Sequence, residues 1–295
     1  MTPDEDLALG FDFGGTKCAV AVGTADGAVL AETHIPTAEF SRPDALVAAV
    51  LDRGRELAVR HRIRAVGVAS MGITREDGVA LAPNVPGWSS LRLPETIQRF
   101  FPTLPVRIAN DVKAAHRAEL RWGALQQHQS SAYLNFGTGI ALSFAMAGRV
   151  VAGEHGAFGE LAYAWRDGEA GIGAGRAPLE ERLGGGALNR ELRRRFQADS
   201  LQAAFSVRES RPDLAGFLSE RFTELGWWVG QALVILDVGV VAVGGGVSRH
   251  LDVFGPWWQA EWAGRLPFPP ALVPARFLDR AGVMGALSLA WEDGP

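Results

Sequence analysis

The 295-residue chain is 47% hydrophobic with a formal net charge of −4, so it is long enough to bury a sizeable core, and at roughly 150 residues per domain it accommodates two domains. The negative charge argues against a globally basic nucleic-acid surface, no apolar run reaches the roughly 18 residues of a membrane span, and the acidic start is wrong for a secretory leader. A single cysteine, Cys18, excludes an intrachain disulfide, a CxxC redox pair and a zinc site built on several thiolates. The expectation is a cytoplasmic protein with no nucleic-acid and no membrane partner. Only Lys17 and Lys113 among the 29 basic residues are lysines, a bias that genome composition explains.

In chain order, residues 7–13 read as a strand that Gly14-Gly15 breaks. Residues 18–22 form the next strand, and Asp26-Gly27 is a two-residue hairpin turn into 28–31. A helix is expected over 42–62, a buried strand over 65–69, a loop rich in Gly, Pro and Asn over 72–88, a helix over 93–101 and a short strand over 106–108. Residues 133–136, 141–145 and 149–151 then repeat the opening plan around the glycine loop Gly137-Thr138-Gly139 and a turn at Ala147-Gly148. Helices over 187–197 and 214–234, a strand over 238–243 and a closing helix over 282–291 follow. Alternating strands and helices imply an α/β fold. Asp12-Phe13-Gly14 recurs as Asn135-Phe136-Gly137, 123 positions later. That is far longer than a solenoid period of roughly 20–50 residues, so it implies a duplicated domain. The boundary is expected in a short crossing within 110–118, giving domains 1–115 and 116–282, with a closing segment 283–295 that can pack back on the first.

The run Asp12-Phe13-Gly14-Gly15-Thr16-Lys17 follows a strand, where glycines free backbone N–H groups to form an anion nest. It is not a Walker loop, which needs GxxxxGK[ST] opening a helix. One copy is equally a tight hairpin loop; the second copy at Gly137-Thr138-Gly139 favours phosphate. The Asp12 carboxylate suits a Mg²⁺ held through water, whereas Asn135 cannot supply that charge. Gly244-Gly245-Gly246 ends a strand, either to let the backbone pass flat against a ligand or as a plain strand-to-helix turn. Asn110-Asp111 follows a strand at the place where α/β folds put ligand-facing residues. Asp can accept a hydroxyl proton and Asn can orient the hydroxyl; the competing reading is a helix cap. Glu160 and Glu180, taken singly, read as solvated charges. The six histidines lack any HExxH spacing and read as structural or surface residues, and the nine tryptophans read as core or subunit contacts.

In order and spacing these motifs resemble the ROK family of sugar kinases and sugar-responsive repressors, within the actin, hexokinase and Hsp70-like ATPase superfamily. The resemblance runs from Asp12 to Ala286. It rests on Asp12 to Lys17, Asn84 to Trp88, Asn110-Asp111, Gly137-Thr138-Gly139, Gly159-Glu160, Leu179-Glu180, Gly244 to Ser248 and Ala281-Gly282-Val283-Met284-Gly285-Ala286. It implies a duplicated two-domain, ribonuclease H-like α/β fold with an interdomain cleft, in which a hexose hydroxyl attacks the terminal phosphoryl group of Mg-ATP. Asp111 would be the general base, and Asn84, Asn110, Asp111, Glu160 and Glu180 would hydrogen-bond the sugar. Gly14, Gly15, Thr16, Lys17, Gly137, Thr138 and Gly139 would hold donor phosphates, with Gly245 and Gly246 near the adenosine. A homodimer or homotetramer is implied.

The sequence also departs from that family. Many members bind a structural zinc through one histidine and three cysteines, positions that here read Tyr163, Gly171, Gly173 and Pro178, so no zinc is expected and the Tyr163 hydroxyl takes over the missing histidine's sugar contact. Polyphosphate-using members also lack the cysteines, which keeps polyphosphate beside ATP as a donor, the acidic net charge favouring ATP. Ala141 stands where glycine usually follows the isoleucine, narrowing the donor site. The competing functions are a catalytically silent sugar-binding protein and a sugar-sensing repressor; the latter needs a helix-turn-helix that residues 1–9 leave no room for.

Overall fold

Each copy of the strand, glycine loop, strand plan opens a five-stranded sheet in the computed structural model, which describes residues 6–75, 77–82, 87–174 and 176–292. The chain forms two compact units: Met1–Gly123 with Ala152–Ala157 and Asp279–Pro295, and Ala124–Val151 with Phe158–Leu278.

In the first unit β1 (Leu7–Phe13), β2 (Lys17–Gly23) and β3 (Val29–Pro36) make an antiparallel meander. Helix α1 (Pro43–Ala58), strand β4 (Ile63–Ser70), the small hairpin β5 (Ile73–Arg75) and β6 (Gly78–Ala80), helix α2 (Leu93–Phe100), strand β7 (Val106–Asn110) and helix α3 (Asp111–Trp122) follow. The sheet order is β3-β2-β1-β4-β7, with β4 parallel to β1 and β7 parallel to β4. The β1 sequence Leu-Ala-Leu-Gly-Phe-Asp-Phe alternates with period two. Its odd residues Leu9, Phe11 and Phe13 join Val20, Val50 and Ile97 in one core. Its even residues face the closing helix, Ala281–Ala290, which is buried on all sides. That helix approaches the strands to main-chain distance, and glycine makes the approach possible. A Cβ on Gly67 would lie 1.8 Å from the Ala286 carbonyl oxygen, and one on its sheet neighbour Gly10 would lie 3.0 Å from Leu287. A Cβ on Gly285 would lie 2.5 Å from the backbone of Ala114 in α3, so the two helices also cross at small residues.

The sequence expectations differ from this unit in several places: the helix expected over 42–62 ends at Ala58, and the loop expected over 72–88 contains the β5–β6 hairpin. The strand expected over 28–31 continues to Pro36, because β2 offers it a partner along its whole length. Residues 111–118 of the expected crossing form the start of helix α3, and the first unit includes the chain up to Gly123.

In the second unit β8 (Ser131–Phe136), β9 (Ile140–Met146) and β10 (Arg149–Val150) again form a meander. Helices α4 (Pro178–Leu183), α5 (Gly185–Phe196), α6 (Leu201–Val207) and α7 (Pro212–Leu236), strand β11 (Val240–Gly244), helix α8 (Leu251–Ala263) and strand β12 (Ala271–Pro274) complete it. The order β10-β9-β8-β11-β12, with β11 parallel to β8 and β12 parallel to β11, reproduces the first sheet, so the α/β plan is duplicated. Helix α7 carries notches at Gly226 and Gly230 that receive Trp258 and Trp262 from α8. The two indoles donate to the carbonyls of Phe222 (2.7 Å) and Gly226 (2.9 Å), satisfying their N–H groups in the core. This docking explains why α8 forms through Gly255-Pro256, a pair that reads as a break: burial of Phe254, Trp258 and Trp262 outweighs the local penalty. Among the described residues no helix is long and apolar enough to cross a membrane.

Two outcomes follow from this packing. Gly67→Ala should lower stability by about 3 kcal/mol, at the upper end of overpacking costs because the obstacle is backbone. Gly216→Ala, in α7 with open space around it, should raise stability by up to ~1 kcal/mol; chemical denaturation of both variants checks the pair. His116 in α3 is fully buried, and burial holds its pKa down at about 3 against an ordinary 6.5. Below pH 6.5 the unfolded chain takes up a proton that the folded chain refuses until about pH 3, so this residue makes stability fall across that window, by at most about 1.4 kcal/mol per pH unit. His116→Gln should flatten that part of the stability-against-pH curve, read from unfolding midpoints in a pH series.

Candidate active site

The first glycine loop joins β1 to β2. A Cβ on Gly14 would lie 2.6 Å from the carbonyl oxygen of Lys17, so only glycine permits the turn to close this tightly. Thr37 ties the loop from behind: its hydroxyl donates to the Gly14 carbonyl (3.0 Å) and its N–H to the Thr16 carbonyl (2.9 Å). With those acceptors committed, the exposed stretch Gly15, Thr16 and Lys17 does not offer an anion the Gly14 and Thr16 oxygens.

Asp12 sits just before this loop, on the β1 face turned to the closing helix, with its carboxylate against Gly282 in the first turn of that helix. A helix N-terminus favours negative charge, yet the pKa of Asp12 is pushed up to about 7, by burial first and then by the charge of Asp111, with Lys17 acting in the opposite direction. Asp111 is also raised, by burial, against the pull of the Val112 N–H and Lys113. The structure thus brings Asp12, Asp111, Lys17 and the first loop together in one unit.

Asn110 and Asp111 divide the two readings that the sequence left open. Asn110 is the N-cap of α3, its side-chain oxygen accepting from the Lys113 N–H at 2.9 Å. Asp111 is therefore the first helical residue, and its Oδ1 accepts from the Val112 N–H at 2.9 Å. Asn84 lies outside the described residues.

In the second unit, Gly137-Thr138-Gly139 joins β8 to β9. Its carbonyls are committed as well: the N–H groups of Gly185 and Gly186, at the start of α5, donate to Gly137 (3.1 Å) and Thr138 (2.9 Å). Gly245, with φ of +80°, lies so close to Phe136 that a Cβ would stand 2.5 Å from its backbone, so the third glycine run packs on the second loop. Gly159, with φ of +89°, bonds to Leu142 of β9 at 2.9 Å and a Cβ there would fall 2.0 Å from the Leu142 carbonyl oxygen. This fixes Glu160 beside β9. Glu180 on α4 accepts from the Ile140 N–H at 3.0 Å. The Tyr163 hydroxyl is raised by burial and then by Glu160 and Glu180, which places the three side chains within electrostatic reach of one another. Near Gly171, Gly173 and Pro178 the segment is tied by charge: Arg166 and Arg182 both reach Glu224, at 2.8 Å and 3.0 Å, Arg182 also pairs with Glu169, and Arg176 with Glu181.

Sequence reasoning missed Thr37 and the run Gly184-Gly185-Gly186. The second left a visible signal, a glycine triplet like that at 244–246; a lone threonine in a loop left none.

The ROK family model matches residues 8–293. The glucokinase of Streptomyces coelicolor is 27% identical over 318 residues, covering 98% of this chain and 99% of its own. The N-acetylmannosamine kinase of Salmonella newport is 26% identical over 294 residues, covering 97% and 98%. Among solved structures, the ROK hexokinase of Thermus thermophilus is similar with a TM-score of 0.79 at 28% identity, over 97% of this chain and 98% of that one. The duplicated α/β plan is accordingly the actin-like ATPase fold.

The cap geometry yields a test. Asn110→Ala should cost about 1 kcal/mol of stability while Asn110→Ser, which keeps a capping oxygen, should cost less than half of that, both read by urea unfolding.

Proposed function

This chain belongs to the ROK family, and from that membership we propose that it is a cytoplasmic sugar kinase that transfers the terminal phosphoryl group of ATP to a hexose hydroxyl, with Asp111 as general base. The observation that carries this reading is the position of Asp111, at the first turn of α3 directly after β7, in the same unit as Asp12 and the first glycine loop. Burial raises its pKa, toward the range in which a carboxylate is an effective base.

In this reading the hydroxyl proton passes to Asp111 as the sugar oxygen bonds to phosphorus, and the bond to the departing ADP oxygen breaks. Most of the acceleration comes from in-line positioning and from charge stabilisation. Lys17 and the N–H groups of the first loop are assigned to donor phosphates. Glu160, Glu180 and Tyr163 are assigned to sugar hydroxyls, with the loop at 137–139 and Gly245-Gly246 assigned to the nucleotide. Asn110, whose Oδ1 serves the helix, orients Asp111 first and the sugar second. Asp12 also fits a hydrated divalent cation: it is a hard oxygen ligand whose pKa is raised by burial first and then by the charge of Asp111, a repulsion that a cation would offset. Asp12 would hold Mg²⁺ through water, and the ion would neutralise donor phosphate charge. Glucose is the first sugar to test, because the Streptomyces relative is a glucokinase, and N-acetylmannosamine the second, because the Salmonella relative is an N-acetylmannosamine kinase.

Incubation with Mg-ATP, or with Mg-polyphosphate, and a panel of hexoses should yield one or more sugar phosphates with ATP as the better donor. Asp111→Asn should lower kcat by roughly 10²–10⁴-fold with the sugar KM little changed. Absence of any phosphorylated sugar from the unaltered protein overturns the kinase reading in favour of a sugar-binding protein.

A further inference from the structure

Resting on the kinase reading, we infer that Glu180 is a positioning residue for the donor loop Gly137-Thr138-Gly139, over and above any contact with sugar. The loop is held at three points. Its carbonyls at Gly137 and Thr138 are taken by the start of α5, and the Gly137 N–H donates to the Gly139 carbonyl at 3.1 Å. The third point is the exit of the loop into β9, where the Ile140 N–H donates to Glu180 Oε2 at 3.0 Å. A charge-assisted bond of this kind is about twice as strong as a neutral one.

The approach is built into the sequence at both ends. A Cβ at Gly139 would stand 2.2 Å from Glu180 Oε2, so any other residue there displaces the carboxylate. On the other side, α4 is anchored by the fully buried Leu179 and Leu183 that flank Glu180 on the helix, and the Gly184 N–H caps it by donating to the Glu180 carbonyl at 2.9 Å. Glu180 also shares Tyr163 with Glu160, so one carboxylate borders both the candidate sugar groups and the donor loop. Any sugar that draws on this carboxylate therefore alters the loop, and the two ligands become coupled through a single side chain.

The experiment reads the loop directly and then its ligand. Amide hydrogen exchange of the peptide spanning 137–141 in the ligand-free protein should speed up at least tenfold in Glu180→Ala and stay near the unaltered rate in Glu180→Gln, whose amide oxygen can still accept from Ile140. Calorimetric binding of Mg-AMPPNP without sugar should weaken about tenfold in Glu180→Ala and recover in Glu180→Gln. The sugar KM should rise in both variants. Gly139→Ala should weaken nucleotide binding too, with no further loss when combined with Glu180→Ala. Unchanged exchange in Glu180→Ala overturns the inference, as does a loss confined to the sugar KM or additive effects in the double variant. If the unaltered protein phosphorylates no sugar, the kinase reading fails while the exchange measurement still decides the role of Glu180.

Discussion

A helix from the end of the chain lies with its backbone almost against the strands of the first sheet, and the arrangement of the first unit depends on that contact. Residues with a Cβ on both surfaces would hold the axes near the usual sheet–helix spacing of about 10 Å, as in ordinary side-chain packing. Here Gly67 removes the side chain under Ala286, Gly10 opens space for Leu287, and Gly285 lets α3 pass at its backbone. The same helix presents Gly282 to the Asp12 carboxylate. One stretch of small residues therefore sets the depth of the helix, the path of α3 and the surroundings of both aspartates. The burial that results is what raises their pKa values, so packing and acid–base character share a cause.

In the proposed kinase reading the two glycine loops solve one problem with different parts. A loop that receives phosphate has to turn N–H groups outward, and every carbonyl left beside them repels the ligand. In the first loop Thr37 takes two carbonyls, through its hydroxyl and its own N–H. In the second, two N–H groups at the start of α5 do so, and Glu180 takes the N–H that follows the loop. The acid before each loop differs as well. Asp12 carries a carboxylate where Asn135, at the matching place, carries a neutral amide, so the duplicated halves differ in charge just before the loop.

The segment around 166–182 is stabilised by charge. Glu224 on α7 is mostly buried and receives Arg166, Arg182 and Arg221, while Arg182 also reaches Glu169. Isolated surface pairs contribute about 0–1 kcal/mol each, but a network that shares one partly buried carboxylate loses less side-chain entropy per pair. Arg166 and Arg182, near the two ends of the stretch between Glu160 and Glu180, are thereby tied to the same carboxylate.

Much of this was legible in residue order. Apolar runs bounded by glycine identified β1, β8 and β11, turn chemistry identified the glycine loops, and the Asp-Phe-Gly and Asn-Phe-Gly pair revealed the duplication, because each of these signals is confined to a few neighbouring positions. Helix α8 stayed outside the sequence reading because docking onto α7 overrides the local penalty of Gly255-Pro256. The sequence by itself determined the α/β plan, its repetition, and Asp12 and Asp111 as chemically suited groups, while Glu160 and Glu180 became candidates only through the family resemblance. Only the tertiary structure decided that Asn110 caps while Asp111 is left at the helix start, that Gly67 admits the closing helix, and that Glu180 holds Ile140, since these are contacts of distance and direction between segments that the chain order keeps apart.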